Sequence, residues 1–169
     1  MNAIVLIGFM GAGKTTVGRL LSQELDIPFI DFDQALVERL NMSIAEYFDQ
    51  FGEEAFRNEE TELLHEVVTQ SAVLSTGGGI VLKELNRMAL KQMKHVIFLQ
   101  AEADTVYQRV LQDHNMVRPL AQRSQKDFIA LYESRLPLYQ EVATITVDTT
   151  KKTPETIVSE LIDVVKEVL

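Results

Sequence analysis

Gly8-Phe9-Met10-Gly11-Ala12-Gly13-Lys14-Thr15 has the residue types and spacing to cradle a phosphate, in the pattern G-x-x-x-x-G-K-[ST]. The apolar run Ala3-Ile4-Val5-Leu6-Ile7 precedes it, and a helix is expected to begin at about Lys14. Gly8, Gly11 and Gly13 let backbone N–H groups approach an anion without Cβ clashes. The helix N-terminus adds its partial positive charge. Lys14 can reach β- and γ-phosphates, and the Thr15 hydroxyl can ligate Mg²⁺. A glycine-rich turn between a core strand and a core helix is the plainer reading. The full motif, its flanks and its N-terminal place argue against that, so the chain reads as a binder of nucleoside triphosphate.

Further groups follow other apolar runs. Asp31-Phe32-Asp33 places two carboxylates at i and i+2, on one side if the chain there is extended. One suits Mg²⁺, directly or through water; the other suits orienting a hydroxyl or accepting its proton. The alternative is that one of the two, Asp33 in particular, is only a helix N-cap for 34–40. Ser75-Thr76-Gly77-Gly78-Gly79 carries three glycines that cost backbone entropy and add no packing, which suggests a close approach by ligand or backbone. A tight turn before a helix near Leu82 would also explain them. Arg57 and Glu60 share a helix face, so the carboxylate can hold the guanidinium for capture of an anion, unless the two form only an exposed pair. Between about 112 and 124 the apolar period disappears, and Arg118 there is suited to swing onto transferring phosphates or to lie idle in a solvated loop. Pro137 is expected to end or kink a helix, leaving Arg135 near its end, where it could answer the helix dipole.

These groups need a frame. Apolar runs at 3–7, 28–30, 72–74, 96–99 and 143–147 alternate with helical stripes such as Leu20, Leu21 and Leu25, or Leu63, Leu64, Val67 and Val68. A last stripe runs from Ile157 to Val168, with Thr153 and Pro154 suited to its start, and Ser43 is a further N-cap. Alternating strand and helix predicts βαβ units and an open α/β sheet covered on both faces, with ligands at the carboxyl ends of its strands. The 169 residues suit one domain, spanning 1–169. No cysteine is present, which excludes disulfides and thiolate chemistry and fits the cytoplasm. No apolar run reaches membrane-spanning length. A net charge of −9 argues against a nucleic-acid partner. His65, His95 and His114 show no metal-ligand spacing, and Phe48, Phe51 and Phe56 read as core.

Taken in order, the segments 8–18, Asp31-Phe32-Asp33, Phe56-Arg57-Asn58-Glu59-Glu60, Thr76-Gly77-Gly78-Gly79, Arg118-Pro119-Leu120 and Arg135-Leu136-Pro137-Leu138-Tyr139 resemble the shikimate kinase family nearly end to end. The resemblance implies a three-layer αβα sandwich with a five-stranded parallel sheet. It also implies a substrate region over 33–60 and a lid over 112–124. The implied reaction moves the γ-phosphoryl group of ATP to the 3-hydroxyl of shikimate, giving shikimate 3-phosphate and ADP, in a cytoplasmic monomer. By position, Gly11, Ala12, Gly13, Lys14, Thr15 and Thr16 would hold phosphates, and Thr15 and Asp31 would serve Mg²⁺. Asp33 would bind and orient or deprotonate the attacking hydroxyl. Arg57, positioned by Glu60, and Arg135 would clamp the carboxylate beside Gly78 and Gly79. Arg118 would close onto the γ-phosphate, and adenine would lie between Arg109 and Pro154. A gluconate-type kinase would share the phosphate loop but need no paired arginines. A nucleoside monophosphate kinase, or a module that binds without turnover, is a further alternative.

Overall fold

The computed structural model describes residues 3–112 and 124–166. The sheet is built from β1 (Ile4–Ile7), β2 (Phe29–Asp31), β3 (Val73–Ser75), β4 (His95–Gln100) and β5 (Ile145–Asp148). The strands pair in the order β2-β3-β1-β4-β5, and every pairing is parallel. The chain first fills one side of β1, then crosses it to fill the other. Such a reversal opens a crevice at the carboxyl ends of the strands. All five expected strands form, with ends shifted by one or two residues.

Strand alternation explains the three layers. Val5 and Ile7 of β1, Leu74 of β3, and Val96 and Phe98 of β4 face one core. That core is covered by α2 (Phe32–Leu40), α3 (Ile44–Val67), α4 (Glu84–Lys91), α5 (Ala103–Gln112) and α6 (Gln125–Val142). Ile4, Leu6, Val73, Ile97 and Leu99 face the other, under α1 (Lys14–Leu25) and α7 (Pro154–Lys166). With both faces covered, every β1 residue is buried, as a parallel sheet demands.

Local signals set the helix ends. The Ser43 hydroxyl accepts from the Glu46 amide and starts α3, and the Thr153 hydroxyl accepts from the Thr156 amide at the start of α7. Gly52, at φ 83° and ψ 172°, breaks α3 into two pieces. Arg39 reaches from α2 to Glu59, Glu62 and Glu66 on the second piece, at 2.8–2.9 Å. That network ties together the two helices following β2. The expected break at Pro137 does not occur: α6 runs through it to Val142. Proline removes one N–H donor, and packing of Phe128, Tyr132, Tyr139 and Val142 into the core holds the helix together. Arg135 therefore lies mid-helix, too far from the C-terminus to answer its dipole.

Leu64 is fully buried in the core beneath α3, whereas Met88 is 57% exposed. Leu64→Ala is expected to cost about 3 kcal/mol in urea unfolding, and Met88→Ala within about 0.5 kcal/mol. Equal losses would contradict this packing.

Candidate active site

The phosphate loop leaves β1 and turns through Gly8, Gly11 and Gly13, all at positive φ, into α1. A Cβ on Gly11 would lie 3.0 Å from Val110 Cγ2 and 3.1 Å from the Val106 carbonyl, so α5 seats the loop from behind. Ala12 is buried, and its amide donates to the Phe9 carbonyl at 3.1 Å, which shapes the loop from within. The Lys14 ammonium donates to the carbonyls of Gly8 (2.5 Å) and Phe9 (3.0 Å). It lines a cavity of about 450 Å³ with Gly11, Gly13, Thr15, Thr16, Asp31, Asp33, Gly77, Gly78 and Arg109. The strand-end rule thus brings one loop from each of β1, β2 and β3 to a single cleft.

Asp31 and Asp33 both face that cleft, but not along an extended chain. Asp31 ends β2 and caps α2, its carboxylate accepting from the Gln34 amide at 3.3 Å. Asp33 is already in the first helical turn. The capping role expected for Asp33 thus falls to Asp31. Asp33 packs against Gly77, where a Cβ would lie 2.9 Å from its Oδ1.

The glycine triplet is a seat for arginines. A Cβ on Gly79 would collide with the Arg57 guanidinium, at 2.3 Å from Nη1. A Cβ on Gly78 would lie 3.5 Å from Arg135 Nη1 and 3.7 Å from the Tyr139 hydroxyl. Tight turns, with the Ile80 amide on the Gly77 carbonyl and the Leu82 amide on Gly79, also run here, and α4 starts at Glu84 rather than near Leu82. The Arg57–Glu60 pair is not an exposed one. Glu60 is 1% exposed and accepts from Arg57 Nη1 at 3.0 Å. Arg57 also stands over the Phe56 and Phe48 rings, at 5.3 and 6.0 Å, and Arg135 over Phe9 at 5.5 Å. Nε of each arginine is buried with no hydrogen-bond partner among the described residues. Phe51, expected in the core with Phe48 and Phe56, is 55% exposed. His95 is buried at the start of β4, and His65 lies in the last turn of α3.

On the nucleotide side, Arg109 donates to the Thr149 carbonyl at 3.0 Å and to the Gly11 carbonyl at 3.4 Å. Pro154 opens α7 and is not among the residues lining the cavity. Arg118, His114 and 113–123 of the expected lid lie outside the described residues. Three groups carry no role in the motif reading. Thr76 ties β3 to β1 through the Leu6 carbonyl at 2.8 Å. Thr149 anchors Arg109 from the end of β5. Tyr139, fully buried, donates to the Gly78 carbonyl at 2.6 Å. Only Tyr139 had a sequence signal, four residues after Arg135 on one helix face.

Arg57 and Arg135 do not line the cavity itself; they rest on the glycine turn at its edge. A phosphate loop after the central strand of a parallel sheet, sharing a cleft with two carboxylates beside that turn, defines a P-loop kinase of small anionic molecules. The sequence model described as shikimate kinase matches residues 10–166. Shikimate kinase of Enterococcus faecalis is 49% identical over 99% of this chain and 100% of its own. That of Lactococcus lactis subsp. lactis is 43% identical over 94% and 95%. Among solved structures, shikimate kinase from Acinetobacter baumannii in complex with shikimate superposes with a TM-score of 0.89 at 35% identity, covering 99% of this chain and 94% of that one. A gluconokinase from Sinorhizobium meliloti reaches a TM-score of 0.59 at 18% identity, covering 94% of this chain and 88% of that one, a likeness of fold alone. The chain belongs to the shikimate kinase family.

Burial raises the Glu60 carboxyl above its ordinary value of 4.5; Arg57 offsets this in part, and Asp33 adds to it. The native state therefore keeps a proton that the unfolded chain releases. Its stabilising effect is full below the ordinary value and fades as pH rises toward the folded one. In urea unfolding, the stability of the wild type relative to Glu60→Gln should fall as pH rises from about 4.5. A gap that stays constant or widens in favour of the wild type would contradict the burial argument.

Proposed function

We propose that this chain transfers the γ-phosphoryl group of ATP to the 3-hydroxyl of shikimate, releasing shikimate 3-phosphate and ADP. The observation that carries this is the buried Arg57–Glu60 pair, seated on Gly79 with Arg135 beside Gly78, next to the Lys14 loop. Shikimate carries one carboxylate and three hydroxyls. Two guanidiniums in a water-poor recess suit the carboxylate, and the Asp33 carboxylate suits the hydroxyls. A gluconate-type acceptor would also offer a carboxylate, so family membership supports the choice between them.

The phosphate half follows from the loop. Amides of Gly11, Gly13, Lys14, Thr15 and Thr16 at the start of α1 hold the β- and γ-phosphates, aided by the helix dipole. Lys14 leaves its own loop carbonyls for phosphate oxygens and offsets the charge that spreads over them during transfer. Asp33 orients the acceptor hydroxyl and takes its proton as the new ester bond forms. Arg109 lies where a nucleoside can rest between α5 and the start of α7. Arg118 closes with the 112–124 lid and keeps water from the phosphoryl group. Thr15 and Asp31 offer hard oxygen donors in the cleft, and among the described residues no group of three or more carboxylates, histidines or cysteines is placed to hold a metal ion by itself. That donor set suits Mg²⁺, which keeps most of its waters and phosphate oxygens. The ion would screen phosphate charge, with Thr15 and Asp31 holding it. The whole chain acts as one domain, a monomer in the cytoplasm. No described helix is long and apolar enough to cross a membrane.

The test is ADP release by purified protein with MgATP, with shikimate, with gluconate and with neither. Release that depends on shikimate alone supports the proposal. ATP binding without shikimate-dependent release would overturn it. Asp33→Asn should lower kcat by about 100-fold or more with ATP binding retained; an unchanged kcat would remove Asp33 from the chemistry. Arg135→Ala should raise the shikimate KM about 10- to 100-fold. A rise confined to the ATP KM would move Arg135 to the nucleotide side.

A further inference from the structure

We infer that Tyr139 is a positioning residue for the acceptor site: its hydroxyl, bonded to the Gly78 carbonyl, holds the glycine turn beside which the Arg135 and Arg57 guanidiniums both rest. The inference rests on the substrate reading above and extends it to a residue that touches no substrate.

Tyr139 lies one helical turn after Arg135 on α6, so the two side chains share a face. The hydroxyl donates to the Gly78 carbonyl at 2.6 Å, and a Cβ on Gly78 would lie 3.5 Å from Arg135 Nη1. That bond fixes the peptide joining Gly78 to Gly79, and a Cβ on Gly79 would fall on the Arg57 guanidinium. One oxygen thus ties α6, beside Arg135, to the turn on which the other arginine rests. Burial pushes the Tyr139 phenol well above its ordinary value, so it stays protonated and keeps donating, while Arg135 offsets this only in part.

A satisfied core tyrosine would look different. Tyr132, on the same helix and 5% exposed, donates to the Ala101 carbonyl at 2.7 Å, away from the glycine turn and its arginines. The Tyr139 ring packs on Phe98 at 5.1 Å, a contact phenylalanine would keep. What Tyr139→Phe removes is the hydroxyl alone. It leaves the Gly78 carbonyl short of a donor.

The experiment compares wild type, Tyr139→Phe and Tyr132→Phe as full-length enzyme with MgATP. Shikimate and its uncharged methyl ester are the two acceptors. A buried carbonyl left without its donor sets the scale at about tenfold. Tyr139→Phe is expected to raise the shikimate KM by that factor, to leave the ATP KM within about twofold, and to shrink the preference for shikimate over the ester. Tyr132→Phe, which loses a comparable buried hydroxyl, should leave that preference unchanged. An unchanged shikimate KM in Tyr139→Phe overturns the inference. So does an equal loss on both acceptors, or the same loss in Tyr132→Phe. If the wild type itself turns over no shikimate, the substrate reading fails first and this inference with it.

Discussion

The Arg57 guanidinium lies against a backbone that carries no side chain. Much of the acceptor half of the site follows from that contact. A buried cation is costly unless paired, and Glu60 pairs it from within the same helix. The carboxylate is itself buried, and its proton is held above the ordinary range. Neither group can be moved far without leaving the other unpaired. The glycines of the β3 loop let α3 and α6 bring their arginines this close. Any side chain at Gly79 would fill the space of the guanidinium.

The phosphate half obeys a different constraint. Its donors are mostly backbone amides, so it depends on loop shape rather than on buried charge. Loop shape in turn depends on β1 being central, on α1 beginning at Lys14, and on α5 closing behind Gly11. The two halves meet where Asp33 packs on Gly77. In the proposed function, a carboxylate placed there would lie between the phosphates and the acceptor's carboxylate, which suits it to the neutral hydroxyl between them.

Much of this was legible in the sequence because it is local. The phosphate loop, the five apolar runs, and the Ser43 and Thr153 caps each occupy a few adjacent residues, and each formed where expected. The Arg57–Glu60 pair was legible as a pair, but its burial was not. Burial is set by the β3 loop, at Gly79, and by Phe48 and Phe56 beneath the guanidinium. Asp31 and Asp33 were seen together, yet the switch from strand to helix between them was missed, because either aspartate could serve as the N-cap and only the end of β2 at Asp31 decides which one does. Pro137 misled for a similar reason: a single lost N–H was outweighed by four core contacts from α6. Thr149 had no sequence signal, since its link to Arg109 joins residues 40 apart.

The most direct test is where the phosphoryl group lands. On the proposed function, Arg57, Arg135 and Asp33 would together admit one orientation of the acceptor, which would put a single hydroxyl in line with the phosphates. Phosphorus NMR of the product from shikimate and MgATP should show one phosphomonoester, coupled to the proton on carbon 3. A mixture of esters at different hydroxyls, or inorganic phosphate in their place, would contradict the account.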